Sequence, residues 1–302
     1  MIYSIDFETR STIDLTERGL DIYANDPSTE VLCIAFGTTP DNVTVCSPTH
    51  NNKDWLSRLN FLLKHVADGG KIAAWNAMFE YTIWNCVCVP KYGWPPLKLE
   101  QCIDTMAVAA ANNVPQALED AALFMNSEHQ KDTRGRYLIH KLCKPNTKGV
   151  FSNDEALMAE LFRYCAQDVR TEMALGADLR PLTDVEQEIW LLTQRINIRG
   201  VPVAPKELQN AVKAVEAAQG AIDAECVSLT GCKPSERQKL LDWINERVNP
   251  PLPDLTEKTV SKMLQCSIHA HVKKALELRQ IGSQTSVAKY AKMLEIQREG
   301  KI

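Results

Sequence analysis

Acidic residues alternate along the apolar opening of this chain, Ile5-Asp6-Phe7-Glu8-Thr9. The run Met1 to Phe7 is apolar and β-prone, which predicts a buried strand. Side chains two apart on a strand share a face. Asp6 and Glu8 therefore project together, while Ile5 and Phe7 enter a core on the other side. Two ionised carboxylates side by side repel each other unless a divalent cation stands between them. Taken alone, the pattern also suits a strand end emerging into solvent.

Further along, strands and helices alternate. Val31 to Thr38, Val43 to Val45, Lys71 to Ala74 and Cys102 to Asp104 read as strands. Asp54 to Val66 has helical periodicity and stops at Gly69-Gly70. A helix is expected over Ala77 to Trp84, and others up to Phe124. The polar stretch Lys131 to Lys148 reads as a loop. Ser152 and Glu155 form a capping box opening a helix to about Leu179. Beyond Pro181 the pattern holds no strand. Thr183 and Glu186 form a second box, and helices are expected to Ile198, over Lys206 to Leu229, from Ser235 and Gln238 to Arg247, and in three shorter pieces to Glu295. This places a boundary at 182/183, between an α/β domain and an all-helical arm.

Composition narrows the setting. Hydrophobic residues make up 45% and charged residues 24% of the 302, as in ordinary globular proteins. No apolar run reaches the length of a membrane span and no basic-then-apolar leader opens the chain, so a cytoplasmic protein is expected. Ten cysteines without such a leader read as reduced thiols, mostly buried. Cys86 and Cys88 lack the second pair or flanking histidines of a zinc site. The net charge of −4 conceals a basic last stretch that includes Lys273, Lys274, Arg279 and Lys289. Such a stretch suits either an anionic partner or a solvated helix face.

Two further acidic features follow. Glu80, in Asn76-Ala77-Met78-Phe79-Glu80, falls on the first turns of a helix that starts at a strand end, where sites gather in α/β sheets. A surface glutamate favoured by the helix dipole would have the same sequence. Tyr164 and Asp168 lie four apart and share a helix face with Leu157 and Leu161. An aspartate on such an apolar stripe is costly unless paired or metal-bound.

In order, D-x-E, N-x-x-F-E and Y-x-x-x-D resemble the three exonuclease motifs of the DEDD superfamily, tyrosine subclass. Gly19 to Phe36, Trp75 to Trp84, Asp104-Thr105-Met106, Lys131-Asp132, Gly135 to Pro145 and Tyr164 to Glu172 resemble the proofreading domain of phage family A DNA polymerases. Asn197 to Val203, Leu252 to Thr256, Leu276 to Arg279 and Thr285 to Tyr290 resemble the thumb of the same polymerases. The resemblance implies an RNase H-like α/β fold with a mixed five-stranded sheet, followed by a helical thumb-like arm. It implies that Asp6, Glu8 and Asp168 hold two Mg²⁺ or Mn²⁺ ions, with Glu80 as fourth carboxylate through a water. Tyr164 would orient the attacking water. Thr9, Asn76 and Phe79 would contact the terminal nucleotide, and Lys273, Lys274, Arg279 and Lys289 would grip DNA. The superfamily usually has Asp where this chain has Glu80.

The expected activity is metal-dependent 3′→5′ hydrolysis of single-stranded DNA ends to nucleoside 5′-monophosphates, with primer–template duplex as a second partner. Palm and fingers are not recognisable in this sequence. The resemblance leaves room for a separate polymerase polypeptide as partner, and for the cytoplasm of a bacterial host if the chain is phage-encoded. Two alternatives stay open: a DNA-binding or polymerase-scaffolding module with a weak or silent nuclease, and an RNA-trimming nuclease of the same fold.

Overall fold

The computed structural model describes residues 1–48, 55–128, 134–283 and 285–302. The expected contribution of Lys131-Asp132 therefore lies outside the described residues. Among those described, the chain forms two compact units, Met1–Gly200 and Val201–Ile302.

The first unit is built on strands β1 (Ile2–Arg10), β2 (Glu30–Gly37), β3 (Val43–Cys46), β4 (Lys71–Ala74) and β5 (Cys102–Asp104). Its helices are α1 (Leu15–Arg18), α2 (Leu20–Asn25), α3 (Trp55–Ala67), α4 (Ala77–Ile83), α5 (Val89–Tyr92), α6 (Thr105–Ala111), α7 (Leu118–Phe124), α8 (Gly135–Leu138), α9 (Glu155–Asp178) and α10 (Asp184–Arg199). The five strands form one mixed sheet, in the order β3-β2-β1-β4-β5. β1 pairs antiparallel with β2 and parallel with β4.

The alternation in β1 sorts its side chains as the sequence requires. Ile5 and Phe7 join a core with Leu59, Leu62, Ile83 and Trp84. On the opposite face, Cys33 and Ala35 of β2 pack with Cys165 and Val169 of α9. The register slips between Glu8, opposite Cys33, and Thr9, opposite Val31. Leu32 is thus the extra residue of a bulge. It packs with Leu161 and Tyr164, also of α9, so two successive residues of β2 contact the same helix. Bulges of this kind bend a strand and re-aim side chains beside it.

β4 pairs with β1 only from Ile2 to Ser4, whereas β2 accompanies β1 as far as Arg10. Past Ser4, the β4 side of β1 is open, and there α4 begins. This is the crevice at the carboxyl end of a strand where α/β sheets place their sites.

Three local expectations need correction. α9 is capped by Asp154, which accepts from the amides of Ala156 and Leu157, rather than by a Ser152 box. The helix at Arg237 has no side-chain cap, so Ser235 does not play that part. The stretch read as a loop contains α8 and a π-helical turn, Ile139–Cys143, because Leu138 and Leu142, one turn apart, are both fully buried. The Thr183–Glu186 box is present.

The compact units divide at 200/201 rather than at 182/183. Trp190 of α10 is buried in the first core and its Nε1 donates to Asp104 Oδ2 at 3.0 Å. Arg195 lies 2.7 Å from Glu100.

The second unit comprises α11 (Pro205–Thr230), α12 (Arg237–Asn245), α13 (Glu257–Leu264), α14 (Ala270–Gly282) and α15 (Ala288–Ile296). Pro205 opens α11, where a missing amide hydrogen costs nothing, and Gly231 ends it at φ 78°, a left-handed conformation suited to glycine. Leu240, Ile244, Val260, Val272 and Leu276 form its core.

Candidate active site

β1 presents Glu8, 8% exposed, and the half-buried Asp6. α9 is held against this strand by Cys165, whose thiol donates to the Asp6 carbonyl at 3.4 Å. One residue before and three after that thiol come Tyr164 and Asp168, both buried, Asp168 to 7% exposure. They are hydrogen-bonded to each other across one helical turn. The Tyr164 hydroxyl is held protonated far above its usual range, first by burial and then by the charges of Asp168, Glu8 and Asp6. A protonated phenol in this position can donate a hydrogen bond.

A glycine makes room for this ring. A Cβ on Gly135 would stand 2.1 Å from Tyr164 Cε2 and 2.8 Å from its hydroxyl oxygen.

Glu80 arrives from the open side of β1. Asn76 takes a left-handed turn at φ 67° between β4 and α4, which directs the first turn of the helix. Glu80 is 2% exposed, and its Oε2 is sealed from solvent without a hydrogen-bond partner. Its carboxyl is raised well above the ordinary range, first by burial and then by Asp6.

Two acids join this group that sequence reading passed over. Glu172, one turn beyond Asp168, is 2% exposed and accepts from Thr105 Oγ1 at 3.1 Å and Ser4 Oγ at 3.5 Å. Burial, followed in effect by Asp6 and Asp104, raises it strongly, though these two hydroxyls oppose the shift. Asp104 caps α6 and receives the Trp190 indole. The spacing of Asp168 and Glu172 was the available signal: i and i+4 on a buried stripe.

Asp6 bears on both sides of this arrangement: its charge raises Glu80 of α4 and, with Asp168 and Glu8, raises Tyr164 of α9. Among the described residues, no three His, Cys, Asp or Glu side chains stand in ligand geometry for a metal ion. By donor chemistry the set fits a hard divalent cation: its atoms are carboxylate oxygens, and one of them, on Glu80, is buried without a partner.

Beside Glu8 opens a cavity of about 480 Å³. Thr9 and Phe79 line it, as do Phe7 and Tyr23. Thr9 Oγ1 lies 2.8 Å from the Tyr23 hydroxyl. Asn76 is not among its walls; it lines a separate cavity with Asp104 and Trp190.

The four expected DNA-gripping residues differ in setting. Lys273 and Lys289 are exposed. Lys274 lies 2.9 Å from Glu225. Arg279 is buried, 7% exposed, and donates to the Pro234 carbonyl at 3.1 Å. All ten cysteines carry free thiols, and eight of them are buried. No helix among the described residues is long and apolar enough to cross a membrane.

The chain is 28% identical over 302 residues to a DNA polymerase of Bacillus phage SP02. The alignment covers 96% of this chain and 45% of that protein, so the chain spans less than half the length of the relative. No family model matches the chain. The chain is thus related in sequence to a phage DNA polymerase.

Proposed function

We propose that this chain is the proofreading part of a family A DNA polymerase, a 3′→5′ exonuclease that trims single-stranded DNA ends to nucleoside 5′-monophosphates. One observation carries the reading: Glu8 of β1 and Asp168 of α9 are buried beside Tyr164, with Asp6 joining them to the buried Glu80 of α4, next to a cavity lined by Thr9 and Phe79. The relationship to a phage polymerase supports DNA as substrate.

Asp6, Glu8 and Asp168, with Glu80, would hold two divalent ions, Mg²⁺ or Mn²⁺. Such ions supply an activated water and relieve charge on the leaving 3′ oxygen. The chain's own residues do the rest. Tyr164, hydrogen-bonded to Asp168, would orient the attacking water. Thr9 and Phe79 seat the terminal nucleotide, Phe79 by stacking on the base. Asn76 acts through the turn that aims Glu80 rather than by lining the cavity. In the second unit, the exposed Lys273 and Lys289 would meet duplex phosphates without reading sequence. The nuclease part would then extend to Gly200, with α10 belonging to it. A polypeptide carrying palm and fingers would be the partner, either on the same chain or on another.

A time course on a 5′-labelled single strand with Mg²⁺, Mn²⁺ or EDTA tests this. The expected result is a ladder shortening one nucleotide at a time with either metal and none in EDTA. DNA binding without any release of nucleotide would overturn it. That outcome would favour the scaffolding module with a silent nuclease. Faster trimming of RNA than of DNA would instead favour the RNA nuclease.

A further inference from the structure

The segment from Arg134 to Lys144 has three faces, and the reading above uses one of them. Gly135, Leu138 and Leu142 turn inward, the glycine against Tyr164 and the leucines into a core with Leu161. Arg134, Tyr137 and Lys141 turn away from the cavity: Arg134 lies 3.1 Å from Glu160, and both cations stand over the Tyr137 ring. The third face carries Arg136, His140 and Lys144, spaced by four, and all three line the cavity that ends at Glu8 and Thr9. Lys144 lies 2.7 Å from Asp14, so its charge is already compensated. Arg136 and His140 are exposed, and neither is in an ion pair among the described residues.

This arrangement resolves an electrostatic difficulty. A cavity that ends in carboxylates repels a polyanion along its approach. The Arg136 guanidinium on a side wall offsets that repulsion and can grip a phosphate through two parallel hydrogen bonds, and the His140 imidazole adds a ring N–H donor. The half-buried Phe79 ring in the cavity wall can accept a base in a sequence-tolerant way. We propose that Arg136 and His140 form a phosphate-binding wall, which holds the backbone of a single-stranded DNA 3′ end while its terminal base lies against Phe79. The inference rests on the exonuclease reading for which end of the strand enters. It adds the residues that hold the strand.

Binding can be measured apart from chemistry. Fluorescence anisotropy of 5′-fluorescein-labelled dT6 in EDTA is titrated with the full chain, at several salt concentrations. The Arg136→Ala/His140→Ala double variant is expected to bind at least 10-fold more weakly, with a shallower salt dependence. Lys141→Ala, on the face turned away from the cavity, is expected to bind as the unchanged chain does. Both variants alter exposed side chains, and equal melting temperatures check their folding. Under Mg²⁺ the double variant should raise KM several-fold and leave kcat within about twofold. Unlabelled dTMP and inorganic phosphate are expected to displace dT6 only at far higher concentration than unlabelled dT6 does. Undiminished dT6 binding by the double variant would overturn the wall, even if digestion proceeds normally. Displacement by dTMP as effective as by dT6 would overturn the strand as its ligand. If no metal supports digestion while binding still depends on Arg136 and His140, the exonuclease reading falls and the wall stands.

Discussion

The two units of this protein bury charge of opposite sign. The first encloses Glu8, Glu80, Asp104, Asp168 and Glu172, several of which raise one another's protonation range. Among the described residues of the second, the buried charge is Arg279, whose guanidinium is held by a backbone carbonyl. Burying like charges together opposes folding, whereas one arginine with a carbonyl acceptor can serve packing alone. The contrast sets acids whose burial together folding alone does not favour, as the proposed chemistry would require, against an arginine that packing accounts for.

That contrast can be broken most sharply at the acids. Asp6→Ala with Asp168→Ala should lower the rate of Mg²⁺-dependent digestion by about 10³-fold or more, while the melting temperature without metal holds or rises. A double variant that still digests at the unchanged rate would dissolve the assigned site.

Gly135→Ala comes next. The new methyl would collide with the Tyr164 ring. The expected cost is about 1–3 kcal/mol of first-unit stability, with kcat reduced, read by denaturant unfolding and by the digestion assay. The loss in kcat should vanish in a Tyr164→Phe background if it acts through the hydroxyl.

Arg279→Ala probes the other side of the comparison. It should lower the stability of the second unit by about 1–3 kcal/mol, leaving the Pro234 carbonyl without its donor. Digestion of a short single strand should not change. A fall in that rate would show that the buried cation is also kept for function.

The smallest effect concerns pH. The Glu172 carboxyl is raised from 4.5 in the folded chain, so the folded state holds a proton that the unfolded state has released. Its contribution is complete below about 4.5 and is lost as pH rises towards its folded value. Without metal, stability should therefore decline upward from that point, and Glu172→Gln should flatten the decline. Equal slopes in thermal melts from pH 4.5 to 8 would refute it.

Much of the first unit was legible because its signals are local. The alternation Ile5-Asp6-Phe7-Glu8 sorts its side chains onto two faces whatever the neighbours are, and Thr183 with Glu186 closes its own helix. Other features depend on partners far along the chain. The helical turns at Gly135 to Cys143 look polar in sequence and are fixed by two leucines packing near Leu161. Glu172 looks like a surface residue until Ser4 and Thr105 are brought to it. That α10 packs with the first unit rests on contacts such as the Trp190 indole on Asp104, eighty-six positions earlier.

By itself the sequence determined the strands and the longer helices, which face β1 presents, and that acids stand at three separate points. Backbone periodicity alone carries that information. Only the tertiary structure decided that β4 stops short beside β1, that a bulge turns Leu32 and Cys33 onto the same helix, and that Glu80 ends in the opening left behind. Those are matters of strand register and burial, set by contacts between residues tens of positions apart, which no local pattern encodes.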